Sequence, residues 1–548
     1  MRNWPITSFS PRIVCILLLF CCRAVRAGDL TCTIDGRPAK PGTFNPADIK
    51  SLVLGNGNLS ITFAEDPTGE FGPVSIQDAG QELAPPDGLS AISLVYNGGR
   101  ARLMAESVNL ITVTPKFVHL ALVDRGTHAP FYLEHHLVMV AGLEGIYGYV
   151  IVKSRPGAAG DMRVVYQFDR EVLSHSYTGG PQNDDYSASI STTKTWGHFG
   201  SGCGAFFMPI SIEYYPGGPL QRFVILSPGA IFNPISVGGA ITPPAGRKLF
   251  GPWLLYFNTG DTPQSIIDDA RQREVQESSN GPYPWLHDPQ YPLQRTNVAG
   301  QLIIPGQQPN ITTGRTAAGA WVILAQPDGN ISHQSGGYIS YTRADDAGDF
   351  WLPDVRPGHY SLYAWPGQGI ITRELVKDDI EIQGDAQNLG QIDWDVPTHA
   401  NLIFQIGKSN RAADEFKFGN QPRNAKWLQM VPADLTFTIG QSNDARDWYF
   451  AQSKVGHWTV KFNLTAVPAG QVYLSIPIAA ASPGAHVTVT VNRNNVLTIA
   501  PDANDGYQLQ QTTFPASILT VGENTMDFNM TDAGKSGVSY DTVILESD

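Results

Sequence analysis

The stretch Val487-Thr-Val-Thr-Val-Asn492 decides the fold class. Apolar and polar residues alternate with period two, which places every valine on one face of a strand and every threonine on the other. Working outward, β signals recur in Ile92-Ser-Leu-Val-Tyr96, Phe117-Val-His-Leu-Ala-Leu-Val123 and Gly148-Tyr-Val-Ile-Val-Lys153. β-Branched and aromatic residues fill these runs, and Gly, Pro or Asn bounds them. Composition agrees: 55 glycines, 40 prolines and only 16% charged residues suit short strands joined by turns better than long helices. The chain is predicted to be all-β. One segment departs from the pattern. Asp261-Thr-Pro263 opens like a helix, with Asp261 or Thr262 as cap and proline in the first turn. Ile266, Ile267, Ala270 and Val275 follow at roughly helical spacing, so this helix is expected to close the first domain.

Pro282-Tyr-Pro-Trp-Leu-His-Asp-Pro289 reads as an extended linker, because a residue before proline is pushed out of the helical region. It divides a large β-sandwich over residues 28–290 from a small sandwich over 291–388. Residues 389–548 have the length and alternation of a jelly roll.

Residues 1–27 read as an export signal. Arg2 and Arg12 supply the basic region, Ile13 to Cys22 are apolar, and Arg23-Ala-Val-Arg-Ala27 ends in small residues. A membrane span needs roughly 20 apolar residues, more than this run offers. The protein is therefore expected to be secreted and extracellular, without a membrane partner. Of the cysteines, Cys32 and Cys203 remain after the leader, either as one disulfide or as two separate thiols. Sequons at Asn58, Asn310, Asn330, Asn463 and Asn529 point to glycosylation. There are 37 basic and 50 acidic residues, and four of the arginines belong to the leader. That balance argues against nucleic acid as a partner. It would also repel a polyanion at long range, so any such ligand needs a local basic patch. A monomer is expected.

No GxSxG elbow, P-loop, HExxH or GxGxxG is present, and neither a cofactor nor a metal is expected. His135 and His136 are adjacent and would point to opposite faces of a strand. The acidic pairs Asp184-Asp185, Asp268-Asp269, Asp345-Asp346 and Asp378-Asp379 read as turn or helix-surface residues. Trp196, Tyr214, Tyr215, Trp365, Trp427, Trp448 and Tyr449 lie near Gly, Pro or polar residues. Aromatic faces stack on sugars, although core packing is the better account of any one of them.

Several motifs occur together in a known order. Gly160-Asp-Met-Arg163, Trp196-Gly-His-Phe-Gly200, Glu213-Tyr-Tyr-Pro-Gly-Gly-Pro219 and Phe250-Gly-Pro-Trp-Leu-Leu-Tyr-Phe257 resemble landmarks of the first domain of the fungal rhamnogalacturonan lyases, polysaccharide lyase family 4. Gly358-His-Tyr-Ser-Leu-Tyr-Ala-Trp365 resembles the family's fibronectin-III-like middle domain. Phe404-Gln-Ile-Gly-Lys408, Glu415-Phe-Lys-Phe-Gly419 and Asp447-Trp-Tyr449 resemble its carbohydrate-binding-like C-terminal domain. The resemblance implies cleavage of the rhamnogalacturonan I backbone of pectin by β-elimination at galacturonate. In that reaction a base takes the C5 proton, cations hold the carboxylate as charge builds, and an acid protonates the departing O4.

Carried over residue by residue, Arg163 matches a substrate-binding arginine, and Tyr214 and Tyr215 flank the Gly-Gly-Pro step of the expected groove. A second family arginine is Gln167 here. The family's catalytic lysine is replaced by Asp185, or by Asn183 in an ungapped alignment, and its histidine falls near Gly239. Lys194 and His198 have the right chemistry and an even spacing that would put both on one strand face, so they stand as candidate substitutes, with Asp185 as a carboxylate base. The alternative expectation is an inactive relative that binds pectic carbohydrate.

Overall fold

The computed structural model describes residues 30–548 except 98–100, 155–157, 179–180, 183–185, 190–193, 221, 237–240, 243–245, 306–316, 328–330, 332–335, 398, 422–424 and 502–505. Nearly all the described elements are strands, gathered into three successive groups of sheets.

The first group holds a six-stranded sheet, a ten-stranded sheet and a second six-stranded sheet. Strand Gly145–Lys153, central in the ten-stranded sheet, shows how the sequence builds them. Ile146, Val150 and Val152 enter the core between the sheets, together with Trp196, Phe207 and Trp253. Tyr147, Tyr149 and Ile151 enter a second layer with Ile266, Ile267, Ala270 and Leu286. Burial on both faces explains why this run is apolar almost throughout instead of alternating.

The covering helix is Pro263–Asn280, capped by Thr262, whose side chain accepts from the Ser265 amide in a reciprocal capping box. Ile266, Ile267 and Ala270 are buried as expected, but Val275 is 67% exposed. The buried position in that turn is Glu277, which accepts from the hydroxyls of Tyr147 at 2.9 Å and Tyr283 at 2.5 Å. Two phenols and Arg273, at 3.5 Å, make the burial of that carboxylate tolerable.

The second group is a seven-stranded sandwich of three-stranded and four-stranded sheets. Its last strand, Gln387–Asp393, runs parallel to its first, Thr296–Ile303. The expected junction at 388 would cut this strand, so the second boundary lies between Asp393 and the strand Asn401–Gly407. The third group packs two five-stranded sheets around a separate core. Within it His486–Val491 alternates as read, with Val487, Val489 and Val491 fully buried.

Glu213 locks the first two groups together. Its carboxylate lies 2.8 Å from Arg295 and 2.7 Å from Arg356, all three side chains being buried. Beside it, the fully buried Lys248 donates to the carbonyls of Tyr214 at 3.0 Å and Gly337 at 2.9 Å. Cys32 and Cys203 are separate free thiols, buried on strands of different sheets, which corrects the disulfide expectation. Burial pushes both thiols up, Cys32 to about 11, so they are held protonated. Among the described residues no helix is long and apolar enough to cross a membrane.

Candidate active site

Strand Met162–Gln167 lies between Ile92–Tyr96 and Ala230–Ser236 in the second six-stranded sheet. Met162, Val164 and Tyr166 enter the core, so Arg163, Val165 and Gln167 face the other way. Arg163 pairs across the ladder with Val95, and Val95 pairs with Arg102. Residues directly paired in a ladder share a face. Two arginines therefore stand in one row, two strand spacings or about 10 Å apart at the backbone.

The two cations are held differently. Arg102 lies 3.2 Å from Glu70 and 3.8 Å from Asp66. Among the described residues, Arg163, its side chain 31% exposed, has Asp161 at 3.5 Å as its nearest carboxylate, and its Nε is buried without a hydrogen-bond partner. On the same face, Gln167 Oε1 is also buried and unpaired among the described residues. Unsatisfied polar atoms on one face are what a ligand-binding surface presents before its ligand arrives.

Glu70 is buried, and its carboxylate accepts from Ser93 Oγ at 3.2 Å, on the row next to Arg163. Burial pushes Glu70 up to about 7, against the pull of Arg102. Burial would also raise Asp66, but hydrogen bonds from Thr68, Ser90 and the Glu70 amide outweigh it and hold that carboxyl below its ordinary value. The two neighbouring acids are thus pushed apart: Asp66 keeps the charge while Glu70 exchanges its proton near neutrality.

The sequence-predicted residues fare unevenly. Tyr214 and Tyr215 do not line a groove. They stack at 4.2 Å inside the core, 0% and 4% exposed, and Tyr215 donates to Asn233 at 2.6 Å. The alternation rule that would expose one of them fails because neither lies in a strand. His198 is 1% exposed and has both ring nitrogens engaged, at 3.0 Å from Ser176 Oγ and from the Ala230 carbonyl oxygen. Burial lowers its proton affinity, so it ties two sheets together and cannot meet a sugar. Lys194 is half-buried in a bend ahead of strand Trp196–Phe199, so its even spacing from His198 does not define a shared face. Asp185 and its alternate Asn183, at the family's lysine position, and Gly239, near its histidine position, lie outside the described residues.

Trp196, Trp365 and Trp448 are core residues, whereas Trp427 and Tyr449 are half-buried beside Phe418. His135 and His136 do face opposite ways. His136 joins His119 and Glu134, each at 2.9 Å, in the layer under Tyr149. Burial lowers His119 to about 3, while hydrogen bonds from His136 and Tyr132 lower Glu134 against the effect of burial, and this chain packs on the far side of the sandwich from Arg163. Arg102 and Glu70 escape sequence reading. They share no motif with Arg163, and only strand register brings them to its face.

The signatures of polysaccharide lyase family 4, domain II, and polysaccharide lyase family 4, domain III, match residues 317–389 and 402–545. The rhamnogalacturonate lyase of Dickeya dadantii is 32% identical over 511 residues, covering 85% of this chain and 83% of its own. Rhamnogalacturonate lyase A of Emericella nidulans is 23% identical over 557 residues, covering 93% and 92%. The bacterial relative is thus more similar than this fungal one, although the motifs were read in their fungal form. Among solved structures, a Paenibacillus xanthan lyase covers 93% of this chain and 52% of its own at 10% identity and a TM-score of 0.27. With two domain signatures in order and a relative aligned along most of both chains, this protein belongs to polysaccharide lyase family 4 and is a polysaccharide lyase.

Proposed function

We propose that the protein is a secreted monomer that cleaves the rhamnogalacturonan I backbone of plant cell-wall pectin by β-elimination at galacturonate. One observation carries this reading: two guanidinium-bearing residues share a row on one sheet face. Arg163 and Arg102 hold the uronate carboxylate, which lowers the cost of removing the C5 proton because the developing charge spreads onto that carboxylate. Glu70, 2% exposed and engaged by Arg102 and Ser93, holds Arg102 in the row and does not itself meet the sugar. The C5–H and C4–O4 bonds break, a C4=C5 double bond forms, and the departing O4 takes up a proton. The local basic row also answers the acidity of the whole chain, which would otherwise repel a polyuronide.

Export rests on the leader at residues 1–27. For glycosylation, Asn58 and Asn463 are exposed and suited to carry glycans, whereas Asn529 is half-buried with its backbone paired on both sides. Asn310 and Asn330 lie outside the described residues.

A second reading, a binder that has lost the elimination chemistry, is favoured by the enclosure of His198 and by an acid or amide where the family carries lysine. One experiment separates the two. The purified protein is incubated with rhamnogalacturonan I, and the ultraviolet absorbance of unsaturated uronate ends is followed alongside binding. Rising absorbance supports the lyase. Retained binding without absorbance supports the second reading.

A further inference from the structure

We propose that Glu106, Asp124 and His128 form a binding site for one divalent transition-metal ion of the Mn2+ or Zn2+ class. Asp124 ends the strand Phe117–Asp124 and is fully buried. One of its carboxylate oxygens, Oδ1, accepts from the amides of Gly126 at 2.8 Å and Thr127 at 3.2 Å, and so turns the chain into the following loop. The other, Oδ2, is equally buried and has no hydrogen-bond donor among the described residues. A buried carboxylate oxygen without a donor is costly, and a cation is the partner that removes the cost most completely.

What surrounds that oxygen is a ligand set. His128 Nδ1 lies 3.7 Å from it, too far for a hydrogen bond. Glu106 precedes the adjacent strand Ser107–Val113 and is oriented by the Arg125 amide, which donates to its Oε1 at 3.1 Å. One donor atom from each of the three lies within 4.8 Å of the others. Metal–ligand bonds of roughly 2.0–2.2 Å draw neighbouring donors closer than this, to about 3–3.5 Å. His128 has a side chain 44% exposed, so a rotation about its own bonds suffices to close the set.

The imidazole nitrogen decides the class. Calcium and magnesium prefer oxygen donors throughout, whereas mixed carboxylate and imidazole sets suit first-row transition ions. The Arg125 guanidinium stands 3.8 Å from Glu106 with its side chain 52% exposed, and it would turn to solvent as the ion enters. Compact ligand motifs were what the sequence lacked. These ligands come instead from a loop and from the residue ahead of a neighbouring strand. A bound ion would tie the loop after Asp124 to the segment that leads from Arg102 to Glu106, and so steady the approach to the arginine row.

The test uses the full mature chain after chelator treatment. It is titrated with MnCl2, ZnCl2 and, for comparison, CaCl2, by calorimetry and by thermal unfolding. The expected result is saturable binding of one Mn2+ or Zn2+ per chain with a rise in melting temperature. His128→Ala, at an exposed position that leaves the fold intact, should weaken that binding tenfold or more, and Asp124→Asn should abolish it. No saturable binding, binding unchanged in His128→Ala, or tighter binding of Ca2+ than of either transition ion would overturn the proposal.

Discussion

Glu213 concentrates more buried charge than any other position described above, and it shows what a single residue can hold. Burial opposes its charge, yet Arg356 and Arg295 keep the carboxyl far below its ordinary value. Removing it strands two buried guanidinium groups, a change that costs roughly 3–5 kcal/mol. Glu213→Ala should therefore lower the denaturation midpoint sharply, and a shift under about 1 kcal/mol would contradict the interlock. The titrating groups also set a pH window. Glu213 and Glu134 are depressed, so their stabilisation is present above the ordinary carboxylate range and is lost as pH falls. His119 and His135, both lowered to about 3, add to the acid loss because they take up protons only on unfolding. Glu70, Asp78 and Glu415, raised to about 7, act in the opposite sense: their contribution is full below the ordinary carboxylate range and is lost as pH rises from there to about 7. Thermal unfolding should thus show greatest stability at about pH 5, with a steep decline below it and a shallower one toward 7. A melting temperature still climbing at pH 8 would refute this assignment. At this scale Arg163 was legible through its motif, whereas Glu70 and Arg102 were not, because their meaning arises from distant segments meeting.

Strand periodicity carried much of the reading of elements, and it failed in identifiable places. In the helix Pro263–Asn280 the apolar spacing named Ile266, Ile267 and Ala270 correctly. It misplaced Val275, because the buried position belongs to a carboxylate fed by two phenols. The Lys194 and His198 pair failed because the strand begins only at Trp196. Strand Gly145–Lys153 contains a constraint that periodicity does not display. A Cβ on Gly148 would lie 2.4 Å from Trp253 Nε1 and 2.8 Å from Trp253 Cε2, so the two central strands approach through the missing side chain. Gly148→Ala should overpack this contact and cost about 1–3 kcal/mol, measured by chemical denaturation. An unaffected midpoint would show that the indole has room to move.

Across the whole molecule, each domain carries its own core, and polar ties join the third to the second. Those ties include Arg411 to Glu374 at 2.8 Å, Tyr507 to the Thr372 carbonyl at 3.1 Å and Gln405 to the Gly369 carbonyl at 2.8 Å. A fragment spanning residues 399–548 should accordingly fold alone and unfold cooperatively; a fragment without a cooperative transition would contradict the independence of its core. The proline-rich stretch is where the sequence places the first junction, because proline chemistry is local. The second junction was misread at 388 because Gln387–Asp393 belongs to the middle sandwich only through its parallel pairing with Thr296–Ile303, a long-range fact.

The central claim is that the row holding Arg163 and Arg102 grips a uronate during elimination, and one measurement reaches it most directly. Initial rates of unsaturated-uronate absorbance on rhamnogalacturonan I are compared for the parent protein, Arg163→Ala and Arg163→Lys. Arg163 is preferred to Arg102 because its ion pair is long and its side chain partly exposed, so the fold should survive the change. The account predicts a measurable parent rate, a loss of roughly 10²–10³-fold in Arg163→Ala, and only partial recovery in Arg163→Lys, since a point charge cannot reproduce a bidentate clamp. A folded parent that produces no absorbance, or an Arg163→Ala variant as fast as the parent, would contradict it.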